Sequence, residues 1–248
     1  MIIEQTIDKL RKMKMATMAE TLEEQMKNIK TQELSFEDRI GLIVDRQWDK
    51  IQCASLAKRL KDAKMKQNAS IESVDFSAKR DIDKSAFLQL AGCSYIHQHH
   101  NVIITGPTGV GKTYLACALG NAAIRQKLSV RYYRTTQILA DMSIARGDGS
   151  INSLIKRLKK VDLLILDDWG LYPIEHISAR DMFEVVEERN GCGSTIISSQ
   201  IPVPDWYDII QAPTIADAIL DRIIHNAFRI QLKGESMRKQ VGKLTEGQ

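Results

Sequence analysis

Apolar residues at Ile3, Ile7 and Leu10, then at Met18, Leu22, Met26 and Ile29, recur at steps of three and four, which lines one face of a helix. Ser35-Phe36-Glu37-Asp38 has the chemistry of a helix start: a hydroxyl that can accept a backbone N–H, followed by acids that favour the positive helix end. Ile40, Ile43, Val44, Trp48 and Ile51 continue as a second stripe. Gly41 is the one glycine before about residue 66, and there is no proline. The pattern predicts a small all-α domain over 1–67. Residues 68–97 lose the periodicity and predict a linker with a short helix near 84–90.

Beyond residue 100 short apolar runs alternate with helical spacing. Strands are expected at 102–105, 130–133, 163–166 and 194–198, and helices at 112–125, 136–146, 150–160 and 177–190. Such alternation predicts an α/β domain over 98–248, a parallel sheet flanked by helices on both faces.

Composition changes little in this picture. The chain has 248 residues, 44% hydrophobic and 27% charged, as ordinary globular proteins are. Lys and Arg number 35 against 31 Asp and Glu, so the placement of basic residues matters more than their sum. No apolar run approaches the ~18 residues of a membrane span, and MIIEQTIDKLRK has no signal-peptide core. No membrane partner is expected. Cys53, Cys93, Cys117 and Cys192 are scattered, so buried, reduced thiols of a cytoplasmic protein are expected. His97, His99 and His100 have no second ligand cluster at a suitable spacing and are expected at the surface before the first strand.

The chemistry concentrates in Gly106-Pro107-Thr108-Gly109-Val110-Gly111-Lys112-Thr113, a complete G-x-x-x-x-G-K-[ST] motif between a strand and a helix. Glycines let successive N–H groups converge on phosphate oxygens, and the following helix adds its positive end. Lys112 is expected on the β- and γ-phosphates and Thr113 on Mg²⁺, which makes ATP and Mg²⁺ the implied cofactors. Leu163-Leu164-Ile165-Leu166 ends in Asp167 and Asp168, carboxylates at the end of a central strand where such sheets bind ligands. Asp167 is expected to hold the metal, and Asp168 to orient or deprotonate the attacking water. The strand at 194–198 is expected between the other two, which puts Gln200, ahead of Ser199, near the γ-phosphate; ordinary turn chemistry before Pro202 is the alternative. Arg222 lies among apolar residues of a helix. It either pairs locally or projects into a neighbouring subunit's nucleotide.

Basic residues gather at Lys58, Arg59, Lys61, Lys64 and Lys66, and again at Arg131, Arg134, Arg146, Lys156, Arg157, Lys159 and Lys160. Either these are solvated faces or they meet a phosphate backbone, with contacts largely independent of sequence and sensitive to salt.

Together these motifs resemble AAA+ ATPases of the helicase-loader clade, most closely the IstB-type transposition helper ATPases encoded beside a transposase in bacterial insertion sequences. The likeness runs nearly end to end, through LSFEDRIGLIVDRQWDK, LKDAKMK, VDF, GPTGVGKTYLACALG, KVDLLILDDWG, STIISSQIPVPDWYD, ADAILDRI and GESMRK. It implies that Gly106 to Thr113 is the Walker A loop, Asp167 and Asp168 the Walker B pair, Gln200 with Ser199 the sensor, and Arg222 a trans-acting arginine finger. Tyr114 replaces the histidine usual after GKT, still beside the nucleotide, and Asp168 replaces the usual glutamate, one methylene longer. Slow, DNA- or transposase-stimulated hydrolysis is therefore expected. The resemblance further implies ATP-dependent homo-oligomers on duplex DNA, target selection and recruitment of a cognate transposase. A replicative helicase loader of the DnaC type and a nucleotide-gated architectural DNA protein are the alternatives.

Overall fold

The structure, a computed structural model, describes residues 2–78 and 80–237. Arg238 and Lys239 of GESMRK lie outside the described residues. Contacts separate two compact units on either side of the Lys58–Arg59 bond.

The first unit holds α1 (Ile2–Lys12), α2 (Ala16–Lys27), α3 (Ile29–Gln32) and most of α4 (Phe36–Ala63). Ser35 starts α4 as expected: its Oγ accepts the Asp38 N–H at 3.1 Å and donates to Asp38 Oδ2 at 2.7 Å. Ile7, Ala19 and Ile43 are buried. Ile40, Val44, Trp48 and Ile51 of the second stripe are exposed, because three short helices cover only part of a 28-residue one.

In the second unit, α5 (Lys84–Ala91) and α6 (Ser94–His97) lie within the expected linker segment and bury Phe87, Leu90, Tyr95 and Ile96. The alternation follows: β1 (Asn101–Thr105), α7 (Lys112–Arg125), β2 (Val130–Arg134), α8 (Thr135–Gly147), α9 (Ile151–Lys159), β3 (Leu163–Trp169), α10 (His176–Arg189), β4 (Ser194–Ser199), α11 (Trp206–Ile209), α12 (Pro213–Ile224) and β5 (Ala227–Gln231). All strands pair in parallel, in the order β2-β3-β4-β1-β5, so β4 lies between β1 and β3 as expected. α7 covers one face with α5; α8, α10 and α12 pack on the other over Ile103, Leu164, Leu166 and Ile197. Near-continuous apolar strands such as Leu163–Leu166 suit a sheet buried on both faces.

Two expectations need correction. β5 is an addition to the expected strands, because AFRIQ is a half-exposed edge strand without an apolar run. Only two of the four cysteines are buried: Cys93 and Cys117, whose thiols burial pushes up to about 11. Cys53 lies on the exposed side of α4 and Cys192 in the turn before β4, where no element covers them. His97 and His99 are exposed, and His100 packs at 5.7 Å from the Phe228 ring.

Candidate functional site

β1 delivers the chain to the glycine-rich loop at the carboxyl edge of the sheet, and α7 begins at Lys112. Lys112 is 7% exposed, and its Nζ donates to the carbonyls of Gly106 and Pro107, each at 2.7 Å. Burial lowers its pKa from the ordinary lysine value, while the Asp167 and Asp168 charges oppose that shift. The chain beyond β5 runs along the loop: the Leu232 N–H donates to the Thr105 carbonyl at 2.8 Å, and the Met237 N–H to that of Gly109 at 2.9 Å. Gly109 has φ +84°, and a methyl group there would meet Ser236 Oγ at 2.1 Å. Gly109→Ala is therefore expected to cost about 1–2 kcal/mol of left-handed strain, lowering Tm by ~2–8 °C in a calorimetric scan. An unchanged Tm would show that the loop relaxes freely.

The carboxylates arise from an irregularity in the sheet. β3 and β4 pair in register up to Leu166 and shift before Trp169, and Asp168 within that bulge has φ +58°, a conformation aspartate tolerates better than most residues. The bulge sends the two acids to different surroundings. Asp167 is fully buried. It accepts hydrogen bonds from Thr113 Oγ1 at 2.9 Å, Tyr132 OH at 2.6 Å and Ser198 Oγ, and Lys66 Nζ lies 3.4 Å away. Burial alone would raise its pKa; the donors Ser198, Tyr132 and Thr113, with the Lys66 charge, outweigh that and hold it below the usual aspartate value. Asp168 lies nearer the surface, its Oδ2 3.8 Å from Arg134 Nε and 3.9 Å from Lys66 Nζ.

Gln200 accepts a hydrogen bond from Thr108 Oγ1 at 2.6 Å, which ties the end of β4 to the loop. Ser199 is buried and turned away, donating to the Trp169 carbonyl at 2.8 Å. Lys66, Arg80, Lys112, Tyr114, Asp168 and Gln200 all line one cleft of about 760 Å³. That volume falls within the ~300–1,000 Å³ of ligand clefts and suits a nucleotide. The Thr113 hydroxyl beside the Asp167 carboxylate is an all-oxygen pair of the kind Mg²⁺ prefers.

The IstB-like ATP binding protein family matches residues 8–245. This chain belongs to that family. An insertion-sequence ATP-binding protein of Sinorhizobium fredii (strain NBRC 101917 / NGR234), y4pL, is 45% identical over 239 residues, covering 96% of this chain and 98% of the relative. The fold of this IstB-like chain is shared with two proteins of known structure. DnaI superposes with a TM-score of 0.58 at 20% identity, over 66% of this chain and 91% of that one. The DnaC helicase loader gives 0.57 at 19%, over 69% and 100%. The chain is thus an IstB-like ATP-binding protein by family, and no helix among its described residues is long and apolar enough to cross a membrane.

The basic residues separate by strand alternation. Tyr132 and Arg134 turn toward the acids, whereas Arg131 lies 5.0 Å from the Tyr133 ring and lines a second groove with Lys64 and Arg157. Arg146 pairs with the buried Asp181. Lys156 and Arg157 of α9 and Lys160 just after it are exposed, while Leu154, Ile155 and Leu158 are buried. Lys58 and Lys61 are exposed and Arg59 half-buried along α4. Arg222 is outside its own cleft: its Nε pairs with Glu187 and its guanidinium lies 5.1 Å from the Phe183 ring.

Sequence reasoning misses Tyr132 and Ser198 at Asp167, takes Lys66 only as part of a charge run, and passes over Arg80. The available signal is polarity out of place, a serine following Ile196 and Ile197 in β4 and a tyrosine hydroxyl carried into a buried strand.

Proposed function

We propose that this IstB-like protein hydrolyses ATP in the cleft between the glycine-rich loop and the end of β3, and that the ATP-bound form assembles on duplex DNA, helps select the target and recruits a transposase. The observation that carries the reading is that Thr113, bonded to the Asp167 carboxylate, and Lys112, held over the glycine-rich loop, line one cleft.

In this reading the N–H groups of the loop and the N-terminal end of α7 bind the phosphates, and Lys112 neutralises the β- and γ-oxygens. Thr113 and Asp167 would hold Mg²⁺, which when bound polarises the phosphoryl oxygens. Asp168, carried by the bulge at the end of β3, accepts the proton of the attacking water or orients it. Gln200, fixed by Thr108, positions the γ-phosphate. Arg222, held by Glu187 and the Ala218 carbonyl and outside its own cleft, is the residue offered to the nucleotide of an adjoining copy. Exposed Lys156, Arg157 and Lys160, with Lys58, Arg59, Lys61, Arg134 and Arg146 as further candidates, supply duplex-backbone contacts. The insertion-sequence relatives support the transposase partner.

The test measures oligomer size and duplex affinity together, by light scattering and fluorescence anisotropy. Duplex binding is expected with ATP and not with ADP, weakening at least about tenfold between ~50 and ~200 mM salt. Asp168→Asn should retain ATP-dependent assembly while turnover falls at least about a hundredfold. A protein that stays monomeric and ignores duplex with either nucleotide would leave only the ATPase.

A further inference from the structure

Arg80 is a buried cation at the cleft that none of the roles above uses. It lies in the segment before α5, is 4% exposed, and lines the same cleft as Lys112 and Thr113. Its Nη1 donates to the Val110 carbonyl of the phosphate loop at 3.2 Å, and its Nη2 to the Asp75 carbonyl. Both hydrogen-bond partners are neutral carbonyls, and the Asp75 carboxylate acts on the guanidinium only through space. Its Nε donates to nothing among the described residues. The Asp75 carboxylate is engaged nearby, accepting from Ser77 N and Ser77 Oγ at 2.8 and 2.6 Å.

A guanidinium keeps its charge at any physiological pH, so burying one against carbonyls, with its nearby carboxylate already bonded to Ser77, costs free energy that these contacts offset only in part. The immediate surroundings deepen the cost. A methyl group at Gly111, the residue capping the 14-residue α7, would meet Arg80 Nη1 at 2.8 Å, so the guanidinium lies at the positive end of that helix. The Lys112 ammonium lines the same cleft. Asp75 and Asp168 line the cleft as well, yet three positive centres lie against the glycine-rich loop itself, and a multiply charged anion is the ligand that suits that loop. The main chain is fixed too: the Lys233 N–H donates to the Arg80 carbonyl at 3.0 Å, and Lys233 Nζ reaches Asp81 at 2.8 Å. A cation held this way loses little further freedom on binding its partner.

We propose that Arg80 is a nucleotide-contacting cation, supplied in cis by the segment before α5, which acts with Lys112 on the polyphosphate of ATP or ADP. This rests on the nucleotide reading of the cleft. It adds a phosphate-binding residue outside the glycine-rich loop and assigns a recognition task to a segment whose sequence reads as a linker.

Calorimetric titration of ATP and ADP at several salt concentrations, with wild type, Arg80→Gln and Arg80→Lys, tests it. Arg80→Met is the second neutral variant should the amide not be tolerated. The neutral variants are expected to bind ATP at least about tenfold more weakly, as loss of a charge-assisted contact implies. Arg80→Lys should recover most of the affinity, and the salt dependence should become shallower in the neutral variants alone. Wild-type affinity in a neutral variant would overturn the proposal. So would an equal loss in Arg80→Lys and Arg80→Gln with unchanged salt dependence, the mark of a brace that works by shape. If the wild type binds no nucleotide, the cleft reading itself fails; if it binds and the neutral variant matches it, only the role of Arg80 falls.

Discussion

Lys112→Ala is expected to bind ATP between about thirty and a few thousand times more weakly than the intact protein. The ammonium is 7% exposed and held over its own loop by two carbonyls at 2.7 Å, so it is oriented before any ligand arrives. Truncating one partner of a buried charge pair costs roughly 2–5 kcal/mol, which is that range of affinity. The carbonyls of Gly106 and Pro107 would also lose their donor. Titration calorimetry reads the effect directly, and circular dichroism of the same sample separates it from unfolding. Affinity within threefold of wild type would place the triphosphate away from this loop.

Asp167→Asn is expected to lower turnover by at least about a hundredfold, the scale on which single electrostatic groups act in such sites. It should also change how stability responds to acid. The folded-state pKa of Asp167 lies below its unfolded value, so its contribution is complete above the unfolded value of about 4 and disappears as pH falls through that value toward the folded one. The ionised carboxylate satisfies Thr113, Tyr132 and Ser198 and faces Lys66; the amide keeps the shape and loses the charge. The variant should melt about 2–8 °C lower at pH 7, given ~1–2 kcal/mol for the charged hydrogen bonds. That gap should narrow below pH ~4. A gap constant from neutrality to pH ~3 would mean that ionisation of Asp167 does not support the fold.

Lys112 and Asp167 are both legible in the order of residues alone. The glycine-rich loop is a local instruction, because its backbone path, its helix start and its lysine all lie within eight residues. The alternation of apolar runs with helical spacing likewise carries the parallel sheet, and Ser35 marks the start of α4. Gln200 is legible in part: its polarity after an apolar strand points to the cleft, but its bond to Thr108 joins residues 92 apart. Tyr132, Ser198 and Lys66 meet Asp167 across 35, 31 and 101 residues, and their own neighbourhoods show at most polarity out of place, not the partner it serves. Arg134 and Arg131 look alike in sequence, yet they serve different surfaces, because neighbours on a strand point opposite ways.

By itself the sequence determined the alternation of elements up to β4, the phosphate loop and the two acids, since each is written in periodicity or spacing over a few residues. The tertiary structure decided which strand joins the edge of the sheet and how the β3 bulge turns one acid inward and the other toward the cleft. It also decided which distant side chains satisfy the buried carboxylate. Those outcomes follow from packing and from the need to pair every buried polar group, and that pairing exists only once chain segments far apart in sequence have met.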